Sequence, residues 1–340
     1  NDTAGNSGES EIRSLTVDTI GPSINFTSPT PPDSNITSNN WAYINVSVND
    51  SSNTSSFIDW NHSLVGYWSF DSRNSTHVFD NSSYDNHGVY MGGLGESNIT
   101  TGKYGDGLEF DGDNDYVRIS DSSSLSPTNA ISIEAWIKPV ENAMGGIVQK
   151  QAESNAAYEI NFISDQRLGF GINWNFPSET FCLSSAGSVS LNRWSHIVVT
   201  YDSQLSSDNM KIYINGILNA SCDNTNQIES LSNAYIDIGA NLGGGDEYFN
   251  GTIDEVRIWN RALSPEEINA SYNSKVNRLY RNFTNLAEGT YEYYAYSIDL
   301  AGNTNQTETR TLTVDTTSPT ITFVSPTEPN GTTINRNWTE

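Results

Sequence analysis

The sequence predicts an all-β protein in which one antiparallel sandwich is inserted into a smaller one, within a repeating array. Three observations carry that prediction. Short runs alternate apolar and polar residues with the period of two of half-buried strands; Ile131, Ile133, Ala135 and Ile137 against Ser132, Glu134 and Trp136 show it plainly. Asn215-Gly216 stands between two such runs, the strongest short-range hairpin signal. Residues 2–43 align without a gap on residues 299–340, at an offset of 297, with 20 of 42 positions identical. Self-similarity of that kind marks a tandem repeat.

Composition narrows the function. A chain of 340 residues has room for two or three domains. Its net charge of −25, with only 16 Lys and Arg, argues against a nucleic-acid partner and against an anionic membrane surface. Apolar runs fall short of the ~20 residues of a membrane span, and any export or anchoring signal is expected outside this window. Asn-X-Ser/Thr occurs 17 times, and each such triplet is an acceptor for N-glycosylation in a secreted chain. The acceptors are Asn25, Asn35, Asn45, Asn49, Asn53, Asn61, Asn74, Asn81, Asn98, Asn219, Asn250, Asn269, Asn282, Asn305 and Asn330, with Asn1 and Asn337 at the ends. Cys182 and Cys222 are the two cysteines, an even pair that fits one disulfide in an oxidising compartment. The expected location is therefore extracellular, at a cell surface. Residues 101–218 carry no acceptor, so they are expected to supply a bare surface for packing or ligand binding.

Taken in order, residues 10–17 read as the last strand of a preceding unit, and 23–27, 41–49 and 57–60 as three strands of the next. The strands needed to complete that sandwich appear only at 278–284, 291–298 and 308–314, the last two around an Ala301-Gly302-Asn303 turn. The expected organisation is thus 1–19, the end of one unit; 20–63 with 276–317, a discontinuous sandwich; 64–275, the insert; and 318–340, the start of another unit. Within the insert, strands are expected at 65–70, 130–140, 146–150, 158–162, 168–173, 194–201, 210–215, 217–220 and 234–239, with a hairpin over 107–120. In the last strand Ile253, Glu255, Arg257 and Trp259 alternate with Asp254, Val256 and Ile258. Ser264-Pro265-Glu266-Glu267 then forms a capping box that opens a helix.

Two resemblances add to this reading. The run YFNGTIDEVRIWNRALSPEEI at Tyr248–Ile268, with GYWSFD at Gly66–Asp71 and the blocks between, closely resembles LamG-like jelly rolls of the concanavalin A-like lectin/glucanase superfamily, over roughly residues 64–273. The repeated segment, GTYEYYAYSIDLAGNTNQTETRTLTVDTTSP at Gly289–Pro319, resembles bacterial and archaeal Ig-like surface modules. The first resemblance implies a two-sheet jelly roll with a structural calcium between early loops and the last strand. Asp71, Asp80, Asn86 and Asp254 are the matching oxygen donors, and Asp111, Asp113, Asn114 and Asp115 form a second candidate. Asp254 is expected on the strand's apolar face, where a lone carboxylate is costly.

The same resemblance implies sugar-stacking platforms, for which Trp136, Trp174 and Trp194, with Tyr213, are candidates. Glucanases of the superfamily use paired glutamates on one strand, and no such run occurs here. Glu134 and Glu255 are expected to share a solvated outward face with Arg257. The function expected is a non-catalytic structural repeat unit of a glycosylated surface protein or fibre, of S-layer, adhesin or filament type, associating with copies of itself. A carbohydrate-binding adhesion module is the alternative, and a glycoside hydrolase a remote one.

Overall fold

The structure, a computed structural model, describes residue 3 and residues 17–152, 155–175, 181–231, 233–243, 246–272, 279–325 and 327–333. The strand expected at 10–17 lies outside them except for Val17, as do Asn1, Asn337 and the last residues of the second repeat. The chain is nearly all β, with 49% strand and 5% helix.

Two eight-stranded antiparallel sheets form the larger sandwich. One runs Cys182–Leu183, Arg167–Asn175, Asn155–Ile163, Gly145–Ala152, Tyr235–Ile238, Tyr116–Ile119, Gly88–Met91, His77–Val78. The other runs Ile217–Cys222, Met210–Ile214, Ser195–Asp202, Ala130–Pro139, Asn250–Trp259, Asp106–Asp111, Ile99–Thr101, with Leu64–Trp68 also paired to Asn250–Trp259. Their inner faces interdigitate in one core that includes Ile131, Ile133, Ala135 and Ile137, the alternate positions expected to face inward. Asn215 and Gly216 both take positive φ, 53° and 77°, and close the expected hairpin between Met210–Ile214 and Ile217–Cys222. Such a two-residue turn matches the twist of the strands it joins.

A smaller sandwich is built from both ends of the chain. Ser23–Phe26, Trp41–Asn49 and Leu279–Thr284 make one sheet; Asn35–Thr37, Arg310–Val314, Gly289–Asp299 and Thr304–Gln306 make the other, with Thr54–Trp60 on the far side of Gly289–Asp299. Ile44, Val46, Ile58, Trp60, Tyr293 and Leu312 are among its core residues. The helix Pro265–Tyr272 sits between the sandwiches, and its box forms as expected: Glu267 N–H donates to Ser264 Oγ (3.3 Å) while Ser264 N–H donates to Glu267 Oε2 (2.9 Å).

Two expectations about strand pairing fail. Residues 107–120 are not a hairpin. Asp106–Asp111 pairs in one sheet with Ile99–Thr101 and Asn250–Trp259, whereas Tyr116–Ile119 pairs in the other with Gly88–Met91 and Tyr235–Ile238. Asp111 Oδ1 accepts from the N–H groups of Asp113 (2.8 Å) and Asn114 (3.3 Å) and so turns the chain from one sheet to the other. Alternation reports which face is buried, not which strand lies alongside.

The second failure is in Asn250–Trp259. The register shifts between Glu134 and Trp136 opposite it, and Glu255 adopts φ 54°. This β-bulge inserts one extra residue and reverses the parity. Ile253 therefore joins Val256 and Ile258 in the core, and Asp254 leaves the apolar face for the outer one.

Cys182, at one edge of the first sheet, is bonded to Cys222, at one edge of the second, with Cα atoms 5.7 Å apart. The bond staples the two layers and closes a loop of 40 residues, worth roughly 4 kcal/mol in the chain-entropy model. Replacing both cysteines by serine should lower unfolding stability by about 2–4 kcal/mol, read as a shift in the urea midpoint. The same shift should follow reduction of the native chain, and an unmoved midpoint would contradict the stapling role.

Candidate functional site

The outer face of the sheet containing Asn250–Trp259 is not solvated. Thr54–Trp60, Gly289–Asp299 and the helix lie over it, and Glu134, Glu255 and Arg257, expected on an exposed face, are each 0% exposed. Arg257 Nη1 donates to Glu134 Oε1 (2.9 Å), Ser55 Oγ (3.1 Å) and Ser271 Oγ (3.1 Å), and Nη2 donates to Glu255 Oε2. Tyr67 OH donates to Glu255 (3.0 Å), and His196 Nε2 lies 2.9 Å from Glu134 Oε1. The guanidinium lies against both the Phe57 and Tyr67 rings, 4.9 and 4.8 Å from their centroids. Phe57, Leu64, Val198, Trp259 and Ile268 pack around this polar centre.

Protonation follows from that burial. Desolvation lifts Glu255 to about 7 against the opposing pull of Arg257. Desolvation also works on Glu134, but there Arg257, His196 and Ser271 outweigh it and hold the carboxyl below its ordinary value. Desolvation carries Asp71 to about 6 and drives Asp254 well above the usual carboxylate range, with the charge of Glu255 adding to it.

The four residues expected to hold calcium do not converge. Asp80 is saturated by the chain: Oδ1 accepts from the N–H groups of Tyr67 and Ser82, and Oδ2 from Asn86 N–H and Ser82 Oγ. Asn86 donates its amide to Val65 O and Ser124 Oγ. These two pin the strand Leu64–Trp68. Asp71 and Asp254 serve a different loop. Asp71 Oδ1 accepts from Asp106 N–H (2.8 Å), and Asp254 Oδ2 accepts from the N–H groups of Lys103 and Tyr104 (2.7 and 3.0 Å). Gly105, at φ 57°, makes room, since a Cβ there would lie 2.4 Å from Asp71 Oδ1. The four residues therefore do not form one ligand set, and of their buried carboxylate oxygens Asp254 Oδ1 is left without a partner among the described residues. In the second candidate, Asp111 caps its own turn and Asp115 accepts from Gly93 N–H. Among the described residues, the three carboxylates that do approach within 4.8 Å are Asp18, Asp50 and Asp299, which the sequence reading did not connect.

The aromatic candidates also land elsewhere. Trp136 is 2% exposed beneath the smaller sandwich, Tyr213 packs in the same interface, and the Trp174 side chain lies outside the described residues. Trp136 and Trp194 line a small pocket at the rim of that interface.

The other sheet is covered only in part on its outer face: Gln149, Glu159, Asn161 and Asp237 are buried there, with Leu242 N–H donating to Gln149 Oε1 (3.2 Å) and Asn241 Nδ2 to Glu159 Oε2 (3.3 Å). A cleft of about 710 Å³ opens there, lined by Arg118, Gln151, Asn155, Asn233, Tyr235 and Leu242. Arg118 is clamped by Asp237 through two 2.8 Å bonds and lies between Tyr116 and Tyr235, 5.0 and 4.7 Å from their rings. The tyrosine is nearly half exposed, at 45%. None of the glycosylation acceptors lies on a strand of this sheet. One acceptor elsewhere is corrected: Asn45 is 5% exposed, and its amide donates to Thr27 Oγ1 (2.7 Å) and Ser28 O (2.9 Å), which leaves no space for a sugar.

Comparison with known proteins agrees with this architecture. Residues 111–269, which lie in the larger sandwich and the helix after it, match the model of the concanavalin A-like lectin/glucanases superfamily. A 78-residue stretch is 36% identical to the human adhesion G-protein coupled receptor D1, covering 22% of this chain and 8% of the receptor. Domain 4 of AbnA, an extracellular arabinanase from Geobacillus stearothermophilus solved with arabinotriose, is 22% identical over 61% of this chain and 98% of its own, with a TM-score of 0.46. The binding domain of botulinum neurotoxin DC, solved with rat synaptotagmin II, is 21% identical over 63% of this chain and 52% of its own, at 0.47.

The sealed charges set a pH dependence. Glu255 has a folded value, about 7, above its ordinary 4.5, so its contribution is complete below about 4.5 and is lost as pH rises through 7. Glu134 and Glu267 are held low, so theirs is lost as pH falls below the ordinary carboxylate range. The melting temperature should therefore peak between about pH 4.5 and 6 and decline towards pH 8. Glu255→Gln should flatten that decline, and a decline of unchanged slope would assign it to other groups.

Proposed function

We propose that the chain is one period of a linear, extracellular, glycosylated surface protein, non-catalytic and joined end to end with copies of itself. The repeated strands would then form Ig-like modules, each displaying a laminin G-like sandwich. The observation that carries this reading is the seat of residues 18–22. Asn303 Nδ2 donates to Asp18 O (3.2 Å), Asn305 Nδ2 donates to Pro22 O (2.9 Å), and Ser51 Oγ lies 3.4 Å from Asp18 Oδ2.

The twin of this segment, Asp315-Thr316-Thr317-Ser318-Pro319, stands 297 residues on. Beyond it Ile321 and Phe323 are 89% and 92% exposed, whereas their twins Ile24 and Phe26 pack in the smaller sandwich. An exposed run with the pattern of a core strand calls for a partner sheet, and a second copy offers one of matching sequence. Ser318 replaces Gly21, whose Cβ position is 2.7 Å from Thr304 O, so the next junction must widen slightly at that point.

A chain of two periods tests the junction. Small-angle scattering should show one stiff, elongated particle, and Asn303→Ala with Asn305→Ala in the second period should broaden its distance distribution. Two freely jointed bodies before substitution would overturn the reading.

A lectin-like role is favoured by the cleft on the other sheet, where the exposed Tyr235 ring beside clamped and amide side chains offers stacking and hydrogen bonding. On a glycan array Tyr235→Ala should weaken any saccharide bound by the intact protein by about tenfold, since losing a ring contact costs on the order of 1 kcal/mol or more. An unchanged signal would remove the cleft from that role.

A further inference from the structure

At the rim of the sealed interface, segments of both sandwiches converge on a second, smaller pocket of about 160 Å³. Asn53 comes from the turn before Thr54–Trp60, Lys103 from the loop held by Asp254, Trp136 and Trp194 from the covered sheet and its approach, Asn215 from the hairpin, and Tyr272 from the end of the helix. The pocket exists only because the two sandwiches are docked.

Lys103 gives the pocket its chemistry. Its ammonium is half-buried and makes no ion pair among the described residues. It rests instead 4.7 Å from the centroid of the Trp136 ring and 5.8 Å from that of Tyr104. The neighbouring carboxyl, Asp254, turns Oδ2 to the backbone N–H groups of Lys103 and Tyr104 and makes no ion pair with the ammonium. Around the cation stand flat aromatic faces, with Tyr272 stacked on Trp136 at 5.8 Å and 24°. Two amides complete the lining; that of Asn215 uses its oxygen to accept from His196 N–H (3.0 Å), which leaves its NH₂ for a ligand.

A single cation, amide donors and aromatic faces select a small monoanion carried on a ring with apolar faces and hydroxyl edges. An apolar guest would bury the ammonium without a partner, which is costly, and the volume excludes an oligosaccharide chain. We propose that this pocket binds one carboxylate-bearing sugar ring, with Lys103 on the carboxylate, Asn53 and Asn215 on hydroxyls, and Trp194 and Tyr272 against the ring. Two sources supply that chemistry. Asn53 begins the triplet Asn53-Thr54-Ser55, so the ring can belong to a glycan on Asn53 itself, or it can come from a glycan outside the chain. The pocket lies within one period and stands or falls separately from the end-to-end array.

The test uses the full, unglycosylated chain titrated with sodium glucuronate, glucose and sodium acetate at constant ionic strength, read by tryptophan emission. Glucuronate should saturate, with glucose and acetate at least about tenfold weaker, and Lys103→Met should raise the glucuronate Kd by about tenfold or more, as expected for a lost charge-assisted bond. A melting curve matching the wild type confirms that the variant is folded. No saturable response, glucose binding as well as glucuronate, or an unchanged Kd in Lys103→Met overturns the proposal. Chain from a glycosylating host then separates the sources, with unglycosylated Asn53→Gln as the baseline. Binding blocked in the wild type and restored in Asn53→Gln assigns the ring to the Asn53 glycan, and equal binding in both assigns it to a sugar from outside.

Discussion

The contact on which the rest of the structure depends is the guanidinium of Arg257 between Glu134 and Glu255. All three are fully buried, and charges removed from water are costly unless paired and hydrogen-bonded on every side. Here the partners come from three places: the larger sandwich gives Glu134, Tyr67 and His196, the smaller gives Ser55, and the helix gives Ser271. These bonds form only when all three are docked, so they specify one relative placement of the sandwiches. Short connections reinforce it. Thr54–Trp60 passes to Leu64–Trp68 through Asn61 and His62, both at positive φ, and the helix follows closely on Asn250–Trp259.

That placement decides which surfaces are available. Covering one sheet leaves the cleft on the other as the open surface, with an arginine already oriented by Asp237 and two tyrosines. It also creates the rim pocket around Lys103, which neither sandwich forms alone. The carboxylates that the family resemblance offered to calcium are occupied in building this arrangement: Asp80 and Asn86 fix an early strand, and Asp71 and Asp254 hold the loop that carries Lys103. Their side chains organise backbone.

Much of the fold was legible because its signals are local. Trp41–Asn49 was expected and found with identical bounds, the Asn215-Gly216 turn and the Ser264–Glu267 box formed as read, and the cysteine pair is bonded. Each rests on periodicity, backbone chirality or a side chain reaching its own neighbourhood. The site was much less legible. Nothing in the residues around Glu255 announces a bulge, yet one residue at φ 54° moves Ile253 inward and Asp254 outward. Nothing in the alternation of residues 107–120 tells that the two strands belong to different sheets.

By itself, then, the sequence determined the class of fold, the strands, the repeat and the disulfide, because hydrophobic period, turn chemistry and cysteine count act over a few residues or are read directly. Only the tertiary structure decided that the polar face of Glu134, Glu255 and Arg257 is an interface and not a solvated surface. An outward charged residue looks the same in sequence whether water or another sheet covers it. The difference lies in contacts such as Ser55 to Arg257, 202 residues apart in the chain, and no local pattern encodes a partner at that distance.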